Sequence, residues 1–172
     1  MASEPVQDGL VAVPPSGPLR DAALRLAPHP AQEEFSGRAD QPLPLAERAP
    51  ARHPYVLVEG GAPVAFLVLD ETPSDADPSA DLLLRGFFVD AGAQGRGVAT
   101  RAVAALPDVV RRDLPAVRTL VLTVNVRNPV ARAVYVRGGF VDAGELYLGG
   151  SAGPQHVLRL ELRATGPQPT AS

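Results

Sequence analysis

The 172-residue chain contains no cysteine, no lysine and no isoleucine, so all 16 of its basic side chains are arginine. Without cysteine there is no disulfide, no thiolate metal site and no cysteine nucleophile; a covalent enzyme intermediate would need another group. No apolar run approaches the roughly 18 residues that span a bilayer, and the first residues lack the basic and apolar regions of a signal peptide, so a cytoplasmic protein is expected. The formal net charge of -3 gives no global electrostatic reason to bind nucleic acid or an anionic membrane, and neither partner is expected. Three histidines, His29, His53 and His156, are scattered without the carboxylate spacing of a ligand set, so no metal is expected. Asparagine is scarce as well: Asn125 and Asn128 are the only two, and both fall in one short stretch.

What the chain does contain is a length suited to one domain with a sizeable core. Residues 1–18 are rich in Pro, Gly and Ser and residues 164–172 resemble them, so both ends are expected to be mobile, flanking a domain at 19–163. Residues 19–26 read as a first strand, residues 30–35 and 43–48 as short helices. Two β-rich runs at 55–59 and 63–70 are split by Gly60-Gly61, the signal of an antiparallel hairpin. The run Leu82 to Val89 is too continuously apolar for a strand with one wet face and is expected at the sheet centre, with Gly86 marking a bulge. Helical spacing follows from Val98, with a kink or new turn at Pro107, and residues 118–124 read as another buried strand. Asn128 is a good N-cap, Pro129 suits the first helical position and Gly138-Gly139 is a stop, which predicts a short helix at 129–137. Residues 141–148 and 156–163 are the last strands. The expected class is α/β, with a mixed sheet flanked by helices.

Two blocks carry chemistry. Gln94-Gly95-Arg96-Gly97-Val98-Ala99 lies where the central strand turns into a helix. Unpaired N–H groups at such a helix start, aligned with the positive end of the peptide dipoles, form an anion site, and glycine lets a diphosphate approach the backbone. The second block runs Asn128-Pro129-Val130-Ala131, then Tyr135, then Gly139-Phe140. Tyr135 lies seven residues after Asn128, two helical turns on and on roughly the same face.

The order and separation of these blocks, Gln-x-x-Gly-x-Ala and then Asn-x-x-Ala-x-x-x-Tyr-x-x-x-Gly-Phe, resemble the GNAT superfamily of N-acetyltransferases. More weakly, the Gln32 to Phe35 element beside a Gln-Gly-Arg-Gly turn resembles bacterial spermine/spermidine-type acetyltransferases. The resemblance implies a mostly antiparallel sheet whose central strands splay apart, with acetyl-CoA as the acyl donor and its pantetheine arm in the gap. It further implies backbone contacts from Phe87, Phe88 and Val89, a diphosphate cradle at Gln94, Gly95, Arg96, Gly97, Val98 and Ala99, a contact from Asn128, and Tyr135 as the acid that protonates the departing thiolate. Arg96 and Arg101 either add positive charge near the phosphate or are simply solvated. Many relatives carry a glutamate on the central strand as general base, and Leu82 to Val89 has no carboxylate. Asp81, Glu33, Glu34 or a relayed water are the alternatives, and the acidic loop Asp70, Glu71, Asp75, Asp77, Asp81 is either an attractor of a cationic acceptor or a solvated loop. With no cysteine, and no serine in either block, transfer to a small amine, polyamine or protein N-terminus is expected to be direct, through a ternary complex. A catalytically silent acyl-CoA-binding sensor is the rival reading. A homodimer is compatible with the resemblance.

Overall fold

A computed structural model describes residues 6–162. The expectation for residues 164–172 lies outside them. The chain runs β1 (Gly9–Ala12), α1 (Pro18–Ala23), a 3-10 turn (Pro30–Gln32), α2 (Glu33–Ser36), α3 (Pro42–Glu47), β2 (Arg52–Glu59), β3 (Ala62–Asp70) and β4 (Leu82–Val89). A second 3-10 turn (Ala91–Ala93) then leads into α4 (Val98–Asp113), β5 (Thr119–Asn125), α5 (Pro129–Arg137), β6 (Val141–Tyr147) and β7 (Gln155–Glu161).

Seven strands form one sheet in the order β1-β2-β3-β4-β5-β7-β6. All neighbouring pairs are antiparallel except β4 and β5. The reason β2 and β3 read as unbroken apolar runs is that both faces of the sheet are covered. Tyr55, Leu57, Leu67 and Leu69 pack on the side of α4 and α5, with Val103, Leu106 and Phe140. Val56, Val58, Phe66 and Val68 pack on the other side, with Ala23, Leu43 and Ala46 from α1 and α3. Gly60 and Gly61 take φ of +60° and +78° and close the β2-β3 hairpin, Glu59 facing Ala62. α4 continues unbroken through Pro107, with Val98, Ala102, Leu106, Val109 and Val110 buried along one stripe.

Two expectations at the N-terminus are corrected. Residues 19–26 do not form a strand: Pro18 opens α1, which Leu19, Arg20, Ala22 and Ala23 continue, and none of these residues is β-branched. The first strand is instead Gly9–Ala12, inside the segment expected to be mobile, and it pairs with β2 from Gly9 opposite Val58 to Ala12 opposite Tyr55. Asp8 holds this edge by accepting hydrogen bonds from the Gly60 and Gly61 amides, 3.1 Å each.

The feature that positions the site is a seam. β4 and β5 run parallel but register only at Leu82 with Leu120 and Leu83 with Val121. Beyond those pairs the strands diverge. Asp81 fastens the closed end, accepting from the amides of Arg118 (2.8 Å) and Thr119 (3.0 Å) and from the Thr119 hydroxyl (3.1 Å). On its other edge β4 carries the expected bulge: Phe66 faces Phe88 while Val68 faces Arg85, so Gly86 and Phe87 share one position, with Gly86 at φ +62°.

Candidate active site

A cavity of about 710 Å³ occupies the seam between the diverging strands. Its floor is Leu84 and Gly86 to Val89 on one side and Leu122 to Asn125 on the other, with their facing backbone edges unpaired beyond the two register pairs. Such edges offer a row of N–H and C=O groups to an extended ligand.

At one end lies the glycine turn. Gly95 and Gly97 both take left-handed φ, +77° and +74°, which lets the chain turn sharply before α4. No side chain caps that helix, so the amides of its first turn are free for another acceptor. Gln94 is fixed by two bonds from Nε2, to the Val89 carbonyl at 3.1 Å and to Gln32 Oε1 at 2.7 Å. Asp90 joins the turn to the chain after α1, accepting from the Ala27 amide at 3.1 Å and from the Gly92 amide at 3.2 Å.

At the other end, Asn128 Oδ1 accepts from the Ala131 amide at 3.2 Å and caps α5, as its spacing predicted. Asn125 donates from Nδ2 to the Ala152 carbonyl at 2.8 Å and accepts from the Arg127 amide at 2.9 Å, which fixes the loop between β6 and β7 beside the seam. Tyr135 is buried between Phe87 and Phe140, with ring centroids at 6.1 and 5.8 Å. Burial raises its pKa above the ordinary phenol value. No group among the described residues hydrogen-bonds its hydroxyl, and since no buried side-chain oxygen there lacks a partner, the hydroxyl opens onto the cavity that the residue lines.

The wall therefore includes Phe87, Phe88, Val89, Gln94, Gly95, Gly97, Val98, Ala99, Asn128 and Tyr135, ten of the residues singled out in the sequence. Arg96 is not among them, since its guanidinium donates back to the Gly92 carbonyl at 2.9 Å. Arg101 is engaged by Glu59 and by the Arg96 carbonyl. Phe88 stacks on Phe66 in the core, 5.8 Å between centroids.

Of the carboxylates considered as a base, Glu34 lines the cavity, while Glu33 pairs with Arg38 at 3.3 Å and Asp81 is spent on the β5 backbone. Most of the acidic loop is also engaged: Asp70 is fully buried against Arg52 and Arg85, Asp77 binds Arg159, and Glu71 meets His53. His29 caps the first 3-10 turn and His156 lies 3.4 Å from Asp142. Phe35, from the Gln32 to Phe35 element singled out in the sequence, also reaches the wall, as do Ser36, Thr100, Ser151, Ala152 and Gln155, which belong to neither block.

Comparison with known proteins agrees with this geometry. The model of the acetyltransferase (GNAT) family matches residues 19–140. An uncharacterized N-acetyltransferase of Bacillus subtilis, YbbJ, is 31% identical over 111 residues, covering 62% of this chain and 69% of that protein. Among solved structures, AAC(6')-Ib in complex with paromomycin and acetyl-CoA superposes with a TM-score of 0.68 at 18% identity, covering 90% of this chain and 94% of the other. The spermidine N-acetyltransferase of Vibrio cholerae, in complex with CoA and spermine, gives 0.64 at 19% identity, covering 89% and 94%. Both structures share the fold, and the family match over residues 19–140 identifies this chain as a member of the GNAT family of acetyltransferases.

Proposed function

We propose that the protein transfers the acetyl group of acetyl-CoA directly to an amine. The observation that carries this reading is the seam itself, which has unpaired strand edges along its length, uncapped helix amides at one end and a buried, unbonded phenol at the other. In this reading the α4 amides and the glycine turn take the diphosphate, and the β4 edge from Phe87 to Val89 pairs with the pantetheine arm. Asn128 contacts the same arm.

The amine nitrogen attacks the thioester carbon, and a β4 N–H stabilises the charge that develops on the carbonyl oxygen. The C–S bond then breaks, and its electron pair leaves with sulfur as the Tyr135 hydroxyl gives it a proton. A phenol held neutral by burial suits that role, since the leaving thiol has a reference pKa of roughly 8.5. The acceptor nitrogen loses its proton to water in the cavity, because Glu34 sits at the rim engaged with Arg127 and β4 carries no carboxylate. The phenol is restored from solvent.

The test is acetyl-CoA binding by calorimetry, followed in the same preparation by thiol release with a panel of amines and peptides. Binding with acceptor-dependent release is the expected result. Binding without release with any acceptor would favour a sensor, and absence of binding would overturn the cofactor assignment.

A further inference from the structure

Arg127 reaches the cavity rim at Glu34 and Phe35, and its surroundings have the make-up of a cation site. Its guanidinium carbon lies 5.4 Å from the centre of the Phe35 ring. Its Nη2 is 3.5 Å from Glu34 Oε2 and donates to the Ala152 carbonyl at 3.1 Å. An aromatic face, a carboxylate and a carbonyl thus converge on one positive charge, which is how ammonium groups are held. Glu34, Phe35 and Ala152 all belong to the cavity wall, whereas Arg127 does not and reaches in from outside.

The contact is also built to be exchanged. Both charged side chains are more than half exposed, at 53% and 56%, so their pairing adds little to stability and is screened by salt. Gln32, at the other end of the same segment, is tied independently to Gln94. Release of Arg127 therefore frees the clamp without freeing α2.

We propose that Glu34 and Phe35 form a subsite for a second positive charge on the acceptor, and that Arg127 occupies this subsite until an acceptor displaces it. This rests on the transferase reading above and narrows it: the favoured substrates are small molecules with at least two ammonium groups, one acetylated in the seam and one held at the rim. Arg127 then acts as a built-in competitor that a monoamine has no means to replace.

The test is steady-state kinetics with putrescine, cadaverine and spermidine against butylamine and pentylamine, for the wild type, Glu34→Gln and Arg127→Met. The wild type should favour the diamines in kcat/KM by roughly tenfold, the scale of one cation–π contact plus one charge-assisted bond. Glu34→Gln should shrink that ratio toward one. Arg127→Met should lower KM for diamines selectively; a merely structural arginine would, when removed, impair both amine classes alike. Equal wild-type use of monoamines and diamines, or a diamine KM unchanged or raised in Arg127→Met, would overturn the inference alone, provided acetyl-CoA still binds and thiol is released. Failure of acetyl-CoA to bind the wild type would sink the transferase reading and this one with it.

Discussion

Tyr135 buries its ring but leaves its hydroxyl open to the cavity, where no group of the described residues pairs with it and a ligand atom can. Tyr135→Phe keeps the ring between Phe87 and Phe140 and removes the proton donor. It should lower kcat by about 100-fold while leaving acetyl-CoA affinity unchanged, measured by thiol release and calorimetry on the same protein. The pH profile follows from two directions. The nucleophile is the neutral amine, of pKa roughly 10.4, so kcat/KM for the acceptor should climb through the alkaline range. The phenol's raised pKa keeps it protonated over that span, so no downturn should appear below about pH 10; a downturn there would contradict Tyr135 as the acid. Asn128 and Tyr135 were legible in the sequence because a cap, a proline and a helical spacing fix their geometry locally. Glu34, Phe35 and Arg127 were not legible as one cluster, since 127 follows 35 by most of the sheet. Arg96 shows the opposite failure: its place in the motif hinted at a phosphate contact, but its guanidinium found the nearby Gly92 carbonyl.

Elements were legible where punctuation and pattern agreed. α5 begins and ends at its cap, proline and glycine, and the β2-β3 hairpin turns at its two glycines. α1 and β1 were missed for physical reasons. A six-residue helix gives less than two turns of periodicity, and β1 is a four-residue edge strand whose pairing with β2 depends on a partner more than forty residues away. Two predictions belong here. Gly86→Ala places a Cβ at φ +62°; the nearest atom, the Ser36 carbonyl oxygen, is 4.0 Å away, so the cost is backbone strain and not collision. The loss should be about 1–2 kcal/mol in denaturant unfolding. Asp81→Ala removes the acceptor that fastens β4 to β5 and should cost about 1 kcal/mol, at the low end because the site is solvent-exposed. The Arg118 amide leads the causes that lower the folded pKa of Asp81. Its stabilisation is therefore present above the ordinary carboxylate pKa and is lost as pH falls through the lower folded value. Wild type and Asp81→Ala should accordingly converge in stability on acidification, and a gap that persists into strong acid would show that the carboxylate charge is not the cause.

At the scale of the molecule, the order of elements from β2 onward could be read from apolar runs and glycine and proline punctuation, but the seam could not. A strand that stops pairing partway looks in sequence like one that pairs throughout, and the divergence was implied only by family resemblance. Its outcome is a sheet in two parts, β1 to β4 and β5 to β7, joined at Leu82–Leu120 and Leu83–Val121 and by the chain around α4. A ligand bound only by the native seam stabilises it by mass action, by about 2.7 kcal/mol at a hundred times its dissociation constant. Acetyl-CoA should raise the melting temperature accordingly, and a protein whose melting does not respond would lack the site.

Amide exchange gives that seam a signature of its own. The β5 edge turned toward β7 is laddered from Thr119 to Asn125, whereas the edges facing across the cavity have no rung past Leu83 and Val121. Deuterium should therefore enter early in the free protein at the seam-facing amides of β4 beyond Leu84 and of β5 beyond Val121, ahead of the amides of the same strands laddered to β3 and β7, and bound cofactor should slow it there first. The cosubstrate would be a temporary eighth strand, and the enzyme would complete its own sheet once per turnover.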